Sequence, residues 1–114
     1  MVEHSAEALN EVFHALSDPT RRQMLRRLSR GEQSVGDLAE PFQMSLAAAS
    51  KHIKTLERAG LIRRSVDGRT HRCRLEAKPL ARAHAWLTFY ERYWNTRLDA
   101  IEAMFEERDE EQKR

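Results

Sequence analysis

Residues 45–75 constrain the fold of this chain more than any other segment. They begin with a serine and a run of small residues, continue with basic residues at helical spacing, and end in two short β-compatible stretches around Asp67-Gly68. Small residues let a helix approach a nucleic-acid groove closely, and nearby cations neutralise phosphates. A helix followed directly by a basic hairpin is typical of a winged helix-turn-helix. The segment therefore predicts that fold and a DNA-binding regulator.

The residues before this segment are predicted to form three helices. Apolar residues at helical spacing over 5–16 indicate an amphipathic first helix. Asp18-Pro19 suits the cap and first position of a second helix, which Gly31 ends. Ser34, with an acid three residues later, resembles a capping box for a short third helix that Pro41 closes. The short third helix and the helix after it form a helix-turn-helix candidate.

The second half of the chain is predicted to contain the reading helix, the hairpin and a long helix. Ser45 caps the fourth helix, which Gly60 ends. Strands over 61–66 and 70–75 flank the turn residues Asp67-Gly68. A long last helix begins after Lys78-Pro79 and continues to about Arg108. The expected class is mainly α with a small β-hairpin, in one compact unit without repeats or linkers.

The charge distribution favours a polyanionic partner for the middle of the chain. The net charge is only +2, but residues 21–74 contain 13 Lys and Arg against 5 Asp and Glu, whereas residues 98–111 contain 7 acids and one arginine. A single cysteine excludes an internal disulfide framework. No apolar run reaches 18 residues, and the N-terminus lacks the features of a secretory signal, so we expect a cytoplasmic protein without a membrane partner.

The candidate DNA-binding residues lie on the outer face of the fourth helix and on the hairpin. On a helical wheel, Ala49, Ile53 and Leu56 share a core face with Ala59 and a half-buried His52. The opposite face and the helix start present Ser45, Leu46, Ala47, Ser50, Lys51, Lys54 and Arg58. The hairpin adds Arg63, Arg64, Arg69 and Arg72, with Arg69 placed to reach a minor groove or its flanking phosphates.

Four blocks of the sequence resemble the ArsR/SmtB family of bacterial repressors. They are A-L-S-D-P-T-R-R-Q-M-L-R-R-L (15–28), S-V-G-D-L-A (34–39), S-L-A-A-A-S-K-H-I-K-T-L-E-R-A-G-L-I (45–62) and D-G-R (67–69). The resemblance covers roughly residues 8–98. It implies a homodimer, formed through the first and last helices, that binds a palindromic operator in double-stranded DNA. Family base-reading positions match Leu46, Ala47, Ser50 and Lys51. Many members carry a glutamine at the position of Leu46 and a serine at the position of Ala47.

The chain departs from the metal-sensing members of that family. Where those members carry two cysteines in the short third helix, this chain has Ser34 and Gly36. Others use an aspartate and several histidines on the last helix, but only His84 follows Pro79 here. Zinc requires three or four ligands, and thiophilic metals require thiolates. We therefore expect no metal site and no cofactor, and an inducing signal, if one exists, is unknown.

The last helix carries five of the eight aromatic residues within nine positions. Exposing such a stripe would be costly, so we expect a second subunit to cover it. The predicted interface residues are Leu80, Leu87, Tyr90, Trp94, Leu98 and Ile101. Arg97 interrupts the stripe and is placed to pair with an acid across the interface. A small-molecule pocket beside these aromatics is the competing interpretation.

The predicted organisation is an ArsR-type winged helix-turn-helix domain over 1–98, followed by an acidic end and tail over 99–114. Within the domain, the helix-turn-helix spans about 34–60, the wing 61–75, and the dimerisation helix starts at 79. The leading function is a metal-independent dimeric repressor. Alternatives are a regulator that senses an oxidant through Cys73 or a small molecule near the last helix, and an interaction module that has lost DNA binding. No catalytic constellation supports an enzyme.

Overall fold

The computed structural model describes residues 2–113, and the side chains of residues 6–112. Its elements are α1 (Val2–Leu16), α2 (Pro19–Leu28), β1 (Gln33–Ser34), α3 (Val35–Ala39), a 3-10 turn (Glu40–Phe42), α4 (Leu46–Arg58), β2 (Ile62–Asp67), β3 (Thr70–Leu75) and α5 (Lys78–Lys113). The contacts divide the chain into two units, residues 1–83 and 84–114. The division falls inside α5, and the predicted domain over residues 1–98 stays a prediction.

Three predicted helix caps are confirmed. At the start of α2, α3 and α4, a side-chain oxygen accepts a hydrogen bond from the backbone amide three residues later, which satisfies a donor that the helix leaves free. The pairs are Asp18 with Arg21 at 3.0 Å, Ser34 with Asp37 at 3.1 Å, and Ser45 with Ala48 at 3.1 Å. These local bonds fix where each helix of the helix-turn-helix begins.

The sheet has three antiparallel strands in the order β1-β3-β2. The hairpin of β2 and β3 is confirmed, but Asp67 pairs with Thr70, so the two-residue loop is Gly68-Arg69 and not Asp67-Gly68. Gly68 is the first residue of this loop and adopts a φ of +62°. Glycine tolerates that backbone conformation and other residues rarely adopt it, so glycine suits this position. Strand β1, which the sequence did not predict, pairs Gln33 and Ser34 with β3.

The core of the first unit fixes the orientation of α4. Ala49, Ile53 and Leu56 are fully buried, and Ala59 is nearly so, which confirms the predicted inner face. They belong to a cluster with side chains of α1, α2, α3, the sheet and Ala83 at the start of α5. Because one face of α4 is held in this way, its opposite face has to point to solvent.

The second unit consists of the continuous helical segment of α5 from residue 84 onward. Every residue of this segment for which the exposure is described is exposed, including its aromatic and aliphatic side chains. Over residues 2–113, no helix combines the length and the apolar character that crossing a membrane requires.

Candidate nucleic-acid interface

The predicted reading face of α4 lies on the surface. Leu46 is 65% exposed, and Ser50 is half-buried. The remaining members of the predicted set are exposed: Ser45, Ala47, Lys51, Lys54 and Arg58. In the part of the chain that the structure describes, neither Lys51 nor Lys54 forms an ion pair. Near the N-terminal end of α4 the face therefore carries uncharged residues that let the helix approach a nucleic-acid groove, and it carries cations further along.

The hairpin presents three of its four predicted arginines to solvent. Arg69 lies in the loop and Arg72 on β3, and both are exposed. Arg63 is also exposed, although its Nε lies 3.2 Å from a carboxylate oxygen of Glu76 at the base of the wing. A surface pair of this kind is weak and can be exchanged for a phosphate. Of the four predicted hairpin arginines, Arg69 and Arg72 are thus the two that form no ion pair within the described residues.

Arg64 occupies a different position from the one that the sequence predicted. Its guanidinium lies 2.6 Å from Glu57 of α4, and the Arg64 side chain is only 20% exposed. Side chains alternate along a strand, so Arg64 shares the face of buried Ile62 and points toward the core side of the wing. Its Nε is buried without a hydrogen-bond partner among the described residues. Arg64 therefore ties the wing to α4, and its role in DNA binding stays a prediction.

A cleft of about 470 Å³ separates the reading helix from the wing. Leu46 and Ser50 line it on the α4 side, and Arg69, Thr70 and His71 line it on the wing side. The end of β1 at Ser34 and the start of α3, together with Arg64, complete the wall. Neither Thr70 nor His71 was among the predicted site residues. Both are exposed, so one hydroxyl and one imidazole face the same space as the predicted residues.

A second network holds the other side of α4. The Nδ1 atom of His52 lies 3.2 Å from the Arg21 guanidinium and 3.9 Å from the Asp18 carboxylate. Arg21 also donates to the backbone oxygens of Ala15 at 2.8 Å and His14 at 3.0 Å, at the end of α1. His52 is half-buried, as predicted. The network joins α1, the cap of α2 and the reading helix. It therefore helps to fix the orientation of α4 from the side that faces α1 and α2.

The charge on Asp18 suits this network. Burial alone would raise the pKa of the Asp18 carboxyl, but the backbone amide of Arg21 and the charges of His52 and Arg21 together lower the pKa below its ordinary value. The carboxylate is therefore held ionised, both as the cap of α2 and as a partner of the cations beside it.

Cys73 lies in the interior. It is fully buried on β3, opposite Arg64 in the strand register. Burial raises the pKa of the Cys73 thiol; the nearby Arg64 guanidinium opposes this and Glu57 adds to it. A buried thiol with a raised pKa reacts slowly, because the thiolate is the nucleophile. This environment does not favour the oxidant-sensing alternative.

Within the described residues, no three His, Cys, Asp or Glu side chains come together in a group that could hold a metal ion. Two of the histidines lie in different places: His52 belongs to the Arg21 network and His71 to the cleft beside the wing.

The fold and this surface together define a winged helix-turn-helix protein, and comparisons agree with that class. A family model described as a helix-turn-helix domain matches residues 16–65. The transcriptional repressor SdpR of Bacillus subtilis is 44% identical over 54 residues, which are 47% of this chain and 60% of that protein. The HTH-type transcriptional regulator Rv2034 of Mycobacterium tuberculosis is 34% identical over 89 residues, covering 78% of this chain and 80% of the relative.

A solved structure extends the comparison to three dimensions. The crystal structure of an ArsR family transcriptional regulator is 46% identical, covers 79% of this chain and 93% of its own, and superposes with a TM-score of 0.74. The chain therefore belongs to the ArsR family of transcriptional regulators. These relatives are regulators or repressors by name, in agreement with the expectation that the chain is not an enzyme.

Proposed function

We propose that this protein is a homodimeric, metal-independent transcriptional repressor that binds a palindromic operator. The observation that carries the proposal is the exposed face of α4, from Leu46 to Arg58, beside a cleft whose other wall is the wing loop. On this view α4 enters a major groove, where Ser50 and Lys51 approach base edges. Arg69 and Arg72 contact the backbone or the adjacent minor groove.

The cleft between α4 and the wing is suited to the sugar-phosphate backbone beside that groove. Arg69 and His71 offer a cation and an imidazole, Thr70 and Ser50 offer hydroxyl groups, and Leu46 offers an apolar surface. Phosphate contacts of this kind position a protein on the duplex, whereas contacts to base edges specify the sequence. On this proposal the wing side of the cleft positions the protein on the backbone, and α4 reads the base edges.

Dimerisation is supported by the exposed apolar side of α5. Leu87, Trp94 and Ile101 recur every seven residues, and Leu98 and Phe105 are also seven apart. On a helix these five residues share one face, and each is between about half and two thirds exposed. Helices that present such a seven-residue repeat pack against one another, and burial of the large side chains supplies the driving force. A second copy of the same helix is the simplest partner.

Symmetry connects the dimer to the operator. A dimer with a twofold axis presents two copies of α4, so the operator is expected to be an imperfect palindrome. Its half-sites would lie about 34–36 Å apart, one helical turn of DNA, or a multiple of that distance.

Metal independence rests on the ligand chemistry of the chain. Ser34 and Gly36 stand at the positions where metal-sensing members of the family carry thiolates. Neither offers the soft sulfur donor that thiophilic metals require. Zinc, cadmium or arsenite at low micromolar concentration should therefore leave the operator affinity unchanged. A stoichiometric metal whose removal changes that affinity would overturn this part of the proposal.

The proposal is tested by selecting bound sequences from random duplex DNA and measuring affinity for the selected site over a range of salt concentrations. Ser50→Ala and Lys51→Ala should reduce the preference for the selected site over random DNA by about 1–3 kcal/mol. Arg69→Ala should weaken both complexes by similar factors and reduce the salt slope by about one unit for each subunit, about two for the dimer. Arg108→Ala removes one positive charge from the acidic end of α5 and serves as the control.

Failure to enrich any sequence would contradict the proposal. Loss of sequence preference in Arg69→Ala, with no effect of the two α4 substitutions, would reverse the roles assigned to helix and wing.

A further inference from the structure

The last part of α2 and the turn after it form a second basic surface, outside the reading helix and the wing. Residues 20–31 contain five arginines and no acid. Arg26 and Arg30 are four residues apart, and both are exposed. Like charges at this spacing lie near one another and repel. Such a surface gains stability when an anion binds to it.

The arginines in this region differ in their partners. Arg27 is half-buried, and its Nη2 and Nε atoms lie 3.2 Å and 3.4 Å from the side-chain oxygen of Gln33 on β1. Arg22 donates to the backbone oxygen of Leu16 at 2.7 Å. In the described part of the chain, by contrast, the guanidinium groups of Arg26 and Arg30 have no hydrogen-bond or ion-pair partner. These two side chains are therefore free to bind a ligand.

A cleft of about 350 Å³ brings these cations together with an apolar wall. It is lined by Gln23, Arg26, Arg27, Arg30, Pro41 and Phe42. Guanidinium groups pair with phosphate through two parallel hydrogen bonds, and the Gln23 amide can donate another. Pro41 and Phe42 offer the kind of surface against which a sugar ring can pack.

The cleft lies close to the N-terminal end of the reading helix. Phe42 precedes the α4 cap, Ser45, by three residues, a length of chain that spans at most about 11 Å. DNA carries a negative charge about every 1.7 Å along its axis, so a duplex engaged by α4 presents phosphates within reach of this cleft.

We propose that the Arg26–Arg30 cleft binds the operator backbone outside the contacts of α4 and the wing, so that each subunit covers a longer stretch of DNA. The inference rests on the proposed DNA-binding function. The ligand is a phosphate group of the flanking strand, held by the two free guanidinium groups. Because phosphate contacts carry no base information, the cleft adds affinity without changing the preferred sequence.

The test compares Arg26→Ala/Arg30→Ala with the wild-type protein on the selected operator, using a duplex with long flanks and one cut at the half-site ends. Each subunit of the dimer loses two phosphate contacts, four in all, so the salt slope should fall by about 3.6 and the affinity for the long duplex by about 1,000-fold at 0.15 M salt. Preference over random DNA should not change, and the loss should be smaller on the short duplex. Circular dichroism checks that α2 remains folded.

Two further variants sharpen the result. Arg26→Lys/Arg30→Lys keeps the charge but not the paired hydrogen bonds, so it should retain the salt slope and lose part of the affinity. Arg82→Ala/Arg108→Ala removes the same number of charges from two exposed arginines of α5, should have no effect and serves as a control for net charge. An Arg26→Ala/Arg30→Ala protein that binds both duplexes like the control would overturn the inference.

The outcome is separable from that of the proposed function. If the wild-type protein binds no DNA in a salt-dependent manner, the proposed function fails and this inference fails with it. If wild type binds the operator but the double variant changes only the binding of an acidic probe such as polyglutamate, the cleft binds acidic protein segments. In that case only the further inference is wrong.

Discussion

Asp18 has two roles at one position. It caps α2 through the Arg21 amide, and its carboxylate lies beside His52 of the reading helix. Folding lowers its pKa, so the ionised form is favoured in the native state. Its charge therefore adds stability above the ordinary pKa of 3.8, and the gain is lost as the pH falls through the lower native value.

Two substitutions separate these roles. Asp18→Asn keeps a capping oxygen but loses the charge, and Asp18→Ala loses both. At pH 7 we expect Asp18→Ala to be less stable than Asp18→Asn by about 0.5–2 kcal/mol. The difference between wild type and Asp18→Asn should shrink as the pH falls below about 4. Urea unfolding at pH 7, 5 and 3 measures both differences, and a pH-independent difference would contradict the role of the charge.

Cys73 provides a second prediction for a single residue. Because the thiol is buried and its pKa is raised, the native protein should react with a disulfide reagent at neutral pH far more slowly than the urea-unfolded protein. Cys73 is the only cysteine, so the absorbance change reports this site alone. Equally fast labelling of both states would return the oxidant-sensing alternative to consideration.

Among the secondary-structure elements, the contact of α4 with the wing is decisive for the proposed interface. The Glu57–Arg64 pair joins the last turn of α4 to β2, so it sets the position of the wing relative to the reading helix. Breaking a partly buried pair leaves the remaining charge without its partner, which costs more than the loss of a surface pair. The chain contains a matched comparison in the pair of Arg63 and Glu76, whose carboxylate is as buried as that of Glu57 but whose arginine is 67% exposed.

A pair of double-mutant cycles tests this difference. With Glu57→Gln and Arg64→Met, we expect an interaction energy of about 0.5–3 kcal/mol from urea unfolding. The corresponding cycle with Arg63→Met and Glu76→Gln should give less than about 1 kcal/mol. Similar interaction energies for the two cycles would show that the Glu57–Arg64 pair does not hold the wing against α4 more strongly than the pair of Arg63 and Glu76 stabilises the fold.

For the whole molecule, the exposed stripe of α5 determines the expected assembly. Leu98→Glu places a charge in the stripe, whereas Thr96→Glu places the same charge on the opposite side of the helix, because two residues of an α-helix are about 200° apart. The first substitution should shift the protein toward monomer and weaken operator binding, and the second should leave the assembly intact. Trp94→Ala should act in the same direction as Leu98→Glu.

Sedimentation measurements over a range of protein concentrations detect the change in assembly. A Leu98→Glu protein that remains a dimer would exclude this side of α5 as the interface. A monomer with undiminished operator affinity would separate dimerisation from DNA binding and so contradict the proposed function.

The sequence by itself determined the features that depend only on residues close together in the chain. The caps at Asp18, Ser34 and Ser45 are local, because each side chain bonds to an amide three residues away. The buried face of α4 followed from helical periodicity, since Ala49 and Ile53 recur at the spacing of one turn. The family itself could also be recognised from short motifs.

Only the tertiary structure decided the features that bring distant segments together. Two-residue β1 has no periodicity of its own and exists because β3 pairs with it. The tie between Arg64 and Glu57, the Thr70 and His71 side of the wing cleft, and the cleft beside Arg26 and Arg30 depend on which faces pack together. Residue type predicts that an arginine is a surface cation, but strand alternation and packing decide whether its charge faces solvent or a carboxylate.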